Sequence, residues 1–211
     1  MRFHGLAWLL ITIVIFLFGP LMTPPDTYVG TIDRELQDSA RWYAGSEVDR
    51  IANNGERVYA FLMVDSGMDP ALKKYMMRGT PSRDIAPNTR LPDHMARWAD
   101  RFVDYWAALL CNIHLFCFRL AHAAVWFGYL LPFLGAIVFD GLMTRKAKIE
   151  SFKYTSPTVY NVSWHLMIAI VCFSIVYFAL SAPISVFFYP VAITTFGLCS
   201  RALIGNIQHS A

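Results

Sequence analysis

The chain has 211 residues, a formal net charge of +3, 56% hydrophobic residues and only 16% charged ones. Its mean hydropathy is +0.41. Such a weak positive charge gives no case for nucleic-acid binding, and the apolar, aromatic composition excludes an ordinary soluble domain in favour of an integral membrane protein.

Three stretches carry no Asp, Glu, Lys or Arg: residues 6–22, 120–139 and 166–199. A membrane-spanning helix needs roughly 20 apolar residues. The first two stretches each supply one span. The third, at about 34 residues, would run ~51 Å as a single helix against a hydrocarbon core of ~30 Å. Pro183 stands near its middle, and proline removes a backbone donor and clashes with the preceding turn. A hairpin of two spans, about 164–182 and 184–200, follows, with a re-entrant second arm as the alternative. The expected fold is all-α: a polytopic helical membrane protein with about four transmembrane helices and an exported helical segment. Its parts are an N-terminal anchor (1–22), an exported segment (23–105), a long helix entering the membrane (106–139), a basic cytoplasmic loop (140–163), a transmembrane hairpin (164–200) and a tail (201–211).

At the start of the chain, Arg2 precedes an apolar run that resembles a secretory signal. No Ala-x-Ala cleavage site follows, so an uncleaved signal anchor is expected. In the exported segment, Pro24-Pro25-Asp26 breaks the chain. Ile32, Leu36, Tyr43, Val48, Ile51, Val58 and Leu62 then recur at helical spacing, which predicts helix over 31–65. Gly45 and Asn53-Asn54-Gly55 are candidate interruptions. Asp69-Pro70 opens a short helix over 71–78, with Gly79 as its stop. Residues 80–90 read as a loop. Pro92 can open a helix that runs unbroken from 93 to 139 apart from a kink at Pro132. No strand and no internal repeat is expected.

Charge sets the topology. Arg145, Lys146, Lys148 and Lys153 outnumber Asp140 and Glu150 in the short loop, which should stay in the cytoplasm. The long, slightly acidic segment 23–105 can be exported. Four spans then put both termini in the cytoplasm. Trp8, Trp106, Trp164 and Tyr189 fall near span ends, where interfacial aromatics belong.

Cys111, His114, Arg119 and His122 lie within a ~140° arc of one helix face. Intramembrane ionisable groups are functional candidates, so one reading is a metal site or proton path, as in a transport or redox subunit. His114 and His122 are eight residues apart, ~12 Å along the axis, too far to share an ion unaided. The other reading is structural: Arg119 snorkels at the edge of the span and the histidines face partner helices. Ala121, Ala124, Gly128 and Gly135 form a small-residue face on the same helix, suited to close packing within the chain or in a homo-oligomer.

The four cysteines, Cys111, Cys117, Cys172 and Cys199, lie in or beside apolar stretches, leaving no disulfide framework in the exported segment. Arg34, Glu35, Asp38, Arg41, Glu47, Asp49, Arg50, Glu56 and Arg57 read mostly as a solvated, ion-paired face. No phosphate loop, His-Glu-x-x-His or Cys-x-x-Cys is present. The expectation is therefore no catalytic residues, no cofactor and no metal.

The basic loop is the remaining candidate. Asp140-Gly141 after the span is a turn signal, and Phe152, Tyr154 and Tyr160 interleave with basic residues. It is either a positive anchor on anionic lipid or a docking surface for a cytoplasmic partner, since aromatics and arginine favour interface cores. Asp140-Gly141-x-x-x-Arg145 followed by Ser156 and Tyr160 entering an apolar helix resembles a family of bacterial conjugation membrane proteins. These proteins occur on integrating conjugative elements and large conjugative plasmids, alongside the type IV coupling ATPase. The order of parts also matches, including an aromatic pair, Trp42-Tyr43, in the soluble segment. Residues 146–154 depart from the family pattern, and His165 sits later than its histidine. The resemblance implies a non-enzymatic inner-membrane accessory or scaffold of conjugative DNA transfer that associates with the coupling ATPase. Asp140, Gly141, Arg145, Lys146, Lys148, Tyr154, Ser156 and Tyr160 would face that partner. An envelope sensing or exclusion protein acting through the exported segment is the further alternative.

Overall fold

The structure is a computed structural model that describes residues 2–79 and 93–207. Every described element is helical. The chain divides into two compact units: Ile13–Ala121 with Phe178–Ile184, and Met1–Thr12 with His122–Tyr177 and Ser185–Ala211.

Helix α1, Arg2–Met22, is the expected apolar N-terminal run. It stops at Thr23. Pro24 caps α2, Pro25–Ala40, with Pro25 at the first helical position, where its missing N–H costs nothing. Two successive prolines cannot continue α1, and the chain turns 109° between Leu10–Met22 and Pro25–Ala40. A break over Arg41–Ala44 leads to α3, Gly45–Tyr59, which passes into a π-helical turn, Ala60–Val64, before α4, Met68–Gly79.

The expected interruption at Gly45 is present. The one at Asn53-Asn54-Gly55 is not: Gly55 lies inside α3, and a Cβ there would come 2.9 Å from Cα of Phe118. This glycine serves close packing rather than a turn. In the same unit Tyr28, Ala108 and Leu115 form a buried cluster joined by Ile32 and Cys111.

Helix α5, Asp93–Glu150, has 58 residues, about 87 Å of helix. It starts where expected and stays continuous through Pro132, but it does not end at Phe139. Residues 142–150 are mostly strong helix formers. Gly141, read as a turn signal, instead sits where a Cβ would lie 3.2 Å from the Arg201 carbonyl oxygen and 3.3 Å from Ile204. The expected loop 140–163 is thus a correction: its first part is helix, the link is Ser151–Ser156, and its last part opens α6, Pro157–Ala179. Ser156 caps α6, its Oγ accepting from the Val159 N–H at 3.3 Å with Pro157 at the first helical position. The expected break at Pro183 holds. Helix α7, Phe188–Ile204, follows. A Cβ on Gly197 would meet Leu134 Cδ2 at 2.7 Å, so α7 rests directly on α5.

Among the described residues two helical stretches, Asp100–Glu150 and Pro157–Ala179, are long and apolar enough to cross a membrane, or three if the bent pair Leu10–Met22 and Pro25–Ala40 counts as one span. This corrects the expectation of four. Helix α7, with 17 residues, is ~25 Å long, short of a ~30 Å core. The predicted loop 80–90 and Pro92, and the tail beyond 207, lie outside the described residues.

Candidate functional site

Arg119 sits on α5 and is fully buried, as is Glu35 on α2. The guanidinium Nε donates to Glu35 Oε1 at 3.0 Å and Nη2 to the same oxygen at 2.5 Å. It also binds the end of α6 and the chain just after it. Nη1 donates to the carbonyls of Phe178 (2.9 Å) and Leu180 (2.5 Å), and Nη2 to that of Ala182 (2.5 Å). Glu35 Oε1 also accepts the Ile184 N–H at 2.8 Å, and Thr31 Oγ1 donates to the Ser181 carbonyl at 2.7 Å. A helix end leaves carbonyls without partners, and the planar arginine fork supplies several donors in fixed geometry. The cluster therefore clamps the 178–184 break onto α2 and α5. Arg119 does not snorkel, which corrects the structural reading of this residue.

The other members of that face go to separate neighbours. His114 Nε2 lies 3.1 Å from Glu56 Oε1, and its ring meets Tyr59 at a centroid distance of 4.9 Å. Burial, helped by the nearby Asp69 charge, pushes the Tyr59 hydroxyl up to about 12. His122 stacks on Tyr189 at 4.2 Å. Among the described residues no group of three or more His, Cys, Asp or Glu side chains converges.

On the small-residue face, Ala121 is buried, whereas Ala124, Gly128 and Gly135 are exposed. A Cβ on either glycine would meet nothing within 4 Å.

The basic segment splits into inward and outward residues. Asp140 pairs with Arg201, and Gly141 makes room for α7. Lys148 Nζ donates to the Gly205 carbonyl at 3.0 Å and to Asn206 Oδ1 at 2.8 Å. The same Oδ1 accepts the Ser156 N–H at 3.2 Å. Asn206 thereby ties the end of α7 to the α5–α6 link. Arg145 and Tyr160 are half-buried, the latter lining a small pocket with Pro157, Asn161 and Ile207. Facing out are Lys146, Phe152, Lys153 and Tyr154; Lys146 reaches Glu150 only at 3.9 Å, a surface pair of little energetic weight.

Sequence reasoning placed Glu35 on a solvated face, which its burial corrects; it did not single out Asn206, and it named Phe152 only as one of several aromatics. A signal for Glu35 existed. Tyr28, Thr31, Glu35 and Ser39 are all buried on α2, a polar ridge at helical spacing that is costly to bury without partners.

A family model described as IncC plasmid conjugative DNA transfer protein DtrJ-like matches residues 26–206. Comparison with curated proteins and with solved structures finds no match.

Proposed function

The chain belongs to the DtrJ-like family of conjugative DNA transfer proteins, and from that premise we propose that it is a non-enzymatic inner-membrane accessory of the type IV secretion apparatus that associates with the coupling ATPase. The observation carrying this reading is the outward set on one corner, Lys146, Phe152, Lys153 and Tyr154, next to inward neighbours that fix its shape. Basic residues flanking apolar helices belong on the cytoplasmic side, where such an ATPase would be met. Arg119, His114 and His122 have separate partners, which favours a structural role for them over transport or redox chemistry.

The test is a mating assay with a deletion strain complemented by the wild type or by Lys146→Glu with Lys153→Glu. Both lysines are exposed, so the charge reversals should leave membrane insertion intact. They should lower DNA transfer and co-purification of the ATPase together. Transfer at the wild-type level from the deletion strain would refute the reading.

A further inference from the structure

Helix α5 ends in a hydrogen-bond pattern with a strong residue preference. The Lys153 N–H bonds the Lys148 carbonyl at 2.9 Å and the Phe152 N–H bonds the Ile149 carbonyl at 3.2 Å. This nested pair is the Schellman ending, whose residue just past the cap adopts the left-handed conformation and is usually glycine. Here that residue is Phe152, with φ 53°. A side chain with a Cβ is strained in this region. The ring obtains nothing within the chain in return, because Phe152 is 98% exposed. Tyr154 beside it is 80% exposed. An aromatic that strains the backbone and keeps its ring in solvent is explained by contacts made outside the chain.

Lipid and protein are the two possible sources of those contacts, and distance separates them. The charge-free run of α5 ends at Phe139 and the helix continues to Glu150, about 16 Å further along its axis. The head-group layer adds only ~5–7 Å to each side of the hydrocarbon core. With residues 120–139 filling the core, Phe152 stands beyond the head groups, in water. The surrounding charge is positive: Lys146 and Lys153 are exposed, with Glu150 as the local acid. We infer that Phe152 is the anchor of a protein-docking corner, its ring entering an apolar pocket on a partner whose rim is acidic. This deepens the proposed function, and it rests on that reading for the identity of the partner.

Two variants separate recognition from folding. Phe152→Gly relieves the strained backbone while deleting the ring, so the purified full-length protein should melt no lower than wild type. DNA transfer should nevertheless fall at least tenfold, and Phe152→Tyr should restore most of it. In parallel, a photoreactive phenylalanine at position 152 of the full-length protein, irradiated in mating cells, should give an adduct with the coupling ATPase. That adduct should disappear when Lys146→Glu and Lys153→Glu are added. Wild-type transfer from Phe152→Gly, or adducts only with lipid, would overturn the docking corner. If deletion of the whole protein also leaves transfer intact, the proposed function fails as well. In that case the adduct alone decides: a charge-dependent protein adduct keeps the corner, and its absence removes it.

Discussion

Arg119 and Glu35 stand 84 residues apart in the chain, yet their side chains meet with Nη2 and Oε1 2.5 Å apart in a site where both are buried. The pair holds a third segment as well, since the remaining guanidinium donors go to carbonyls at 178–182 and the carboxylate takes the Ile184 N–H. Removing one partner of such a pair leaves an uncompensated buried charge, at about 3–5 kcal/mol. Glu35→Ala and Arg119→Ala are each expected to destabilise by that amount, and Arg119→Leu combined with Glu35→Leu by less than the sum of the single leucine variants. Thermal midpoints of the wild type and these five variants in one detergent check this.

Glycines on α3 and α5 should respond oppositely to alanine. Gly55→Ala places a Cβ against the Phe118 backbone, which cannot move as a side-chain tip can, and should cost about 1–3 kcal/mol. Gly128→Ala enters open space and should be neutral or gain up to about 1 kcal/mol from helix propensity. A chemical or thermal melt of both variants distinguishes them.

Gly141 and Gly197 report on how α7 seats on α5. The Cβ of Gly197→Ala meets the end of the flexible Leu134 side chain, whereas that of Gly141→Ala meets the main chain of Arg201. The Gly141 variant should therefore be the more damaging, by about 1 kcal/mol or more. Cysteine pairs placed across α5 and α7 should cross-link more slowly in it than in the Gly197 variant.

Tyr59 governs an alkaline limb. Its hydroxyl is held neutral up to about pH 12 by burial, while in the unfolded chain it ionises near 10. The folded pKa is raised, so its contribution is complete below pH 10 and is lost as pH climbs toward 12. Tyr59→Phe should flatten the loss of stability across that window and remove a late-titrating component from the tyrosinate absorbance curve.

Much of this fold is written in local signals. The start of α4 at Asp69-Pro70, the break before Gly45 and the break around Pro183 all arise from residues that act on their own turn. What the sequence concealed depends on residues distant in the chain. Asp140-Gly141 reads as a turn, yet Gly141 is small because Arg201 and Ile204 approach it. Glu35 reads as one more charge on a solvated helix until Arg119 and the 178–184 segment close over it. Lys148 looks like part of a basic patch, and its ammonium is engaged by the end of α7. Among the described residues two or three spans stand where four were expected, and charge-free length alone does not show that α7 is too short. Phe152 stayed obscure for the opposite reason: no described residue covers its ring, and only its backbone angle marks the position as unusual.

The most direct test is the partner itself. The full-length tagged protein, purified in mild detergent from cells carrying the transfer system, should bring down the coupling ATPase, detected with an antibody against it. Lys146→Glu with Lys153→Glu should lose that band while the membrane level of the protein is unchanged. Equal recovery of the ATPase by the double variant, or no recovery by the wild type, would contradict the account.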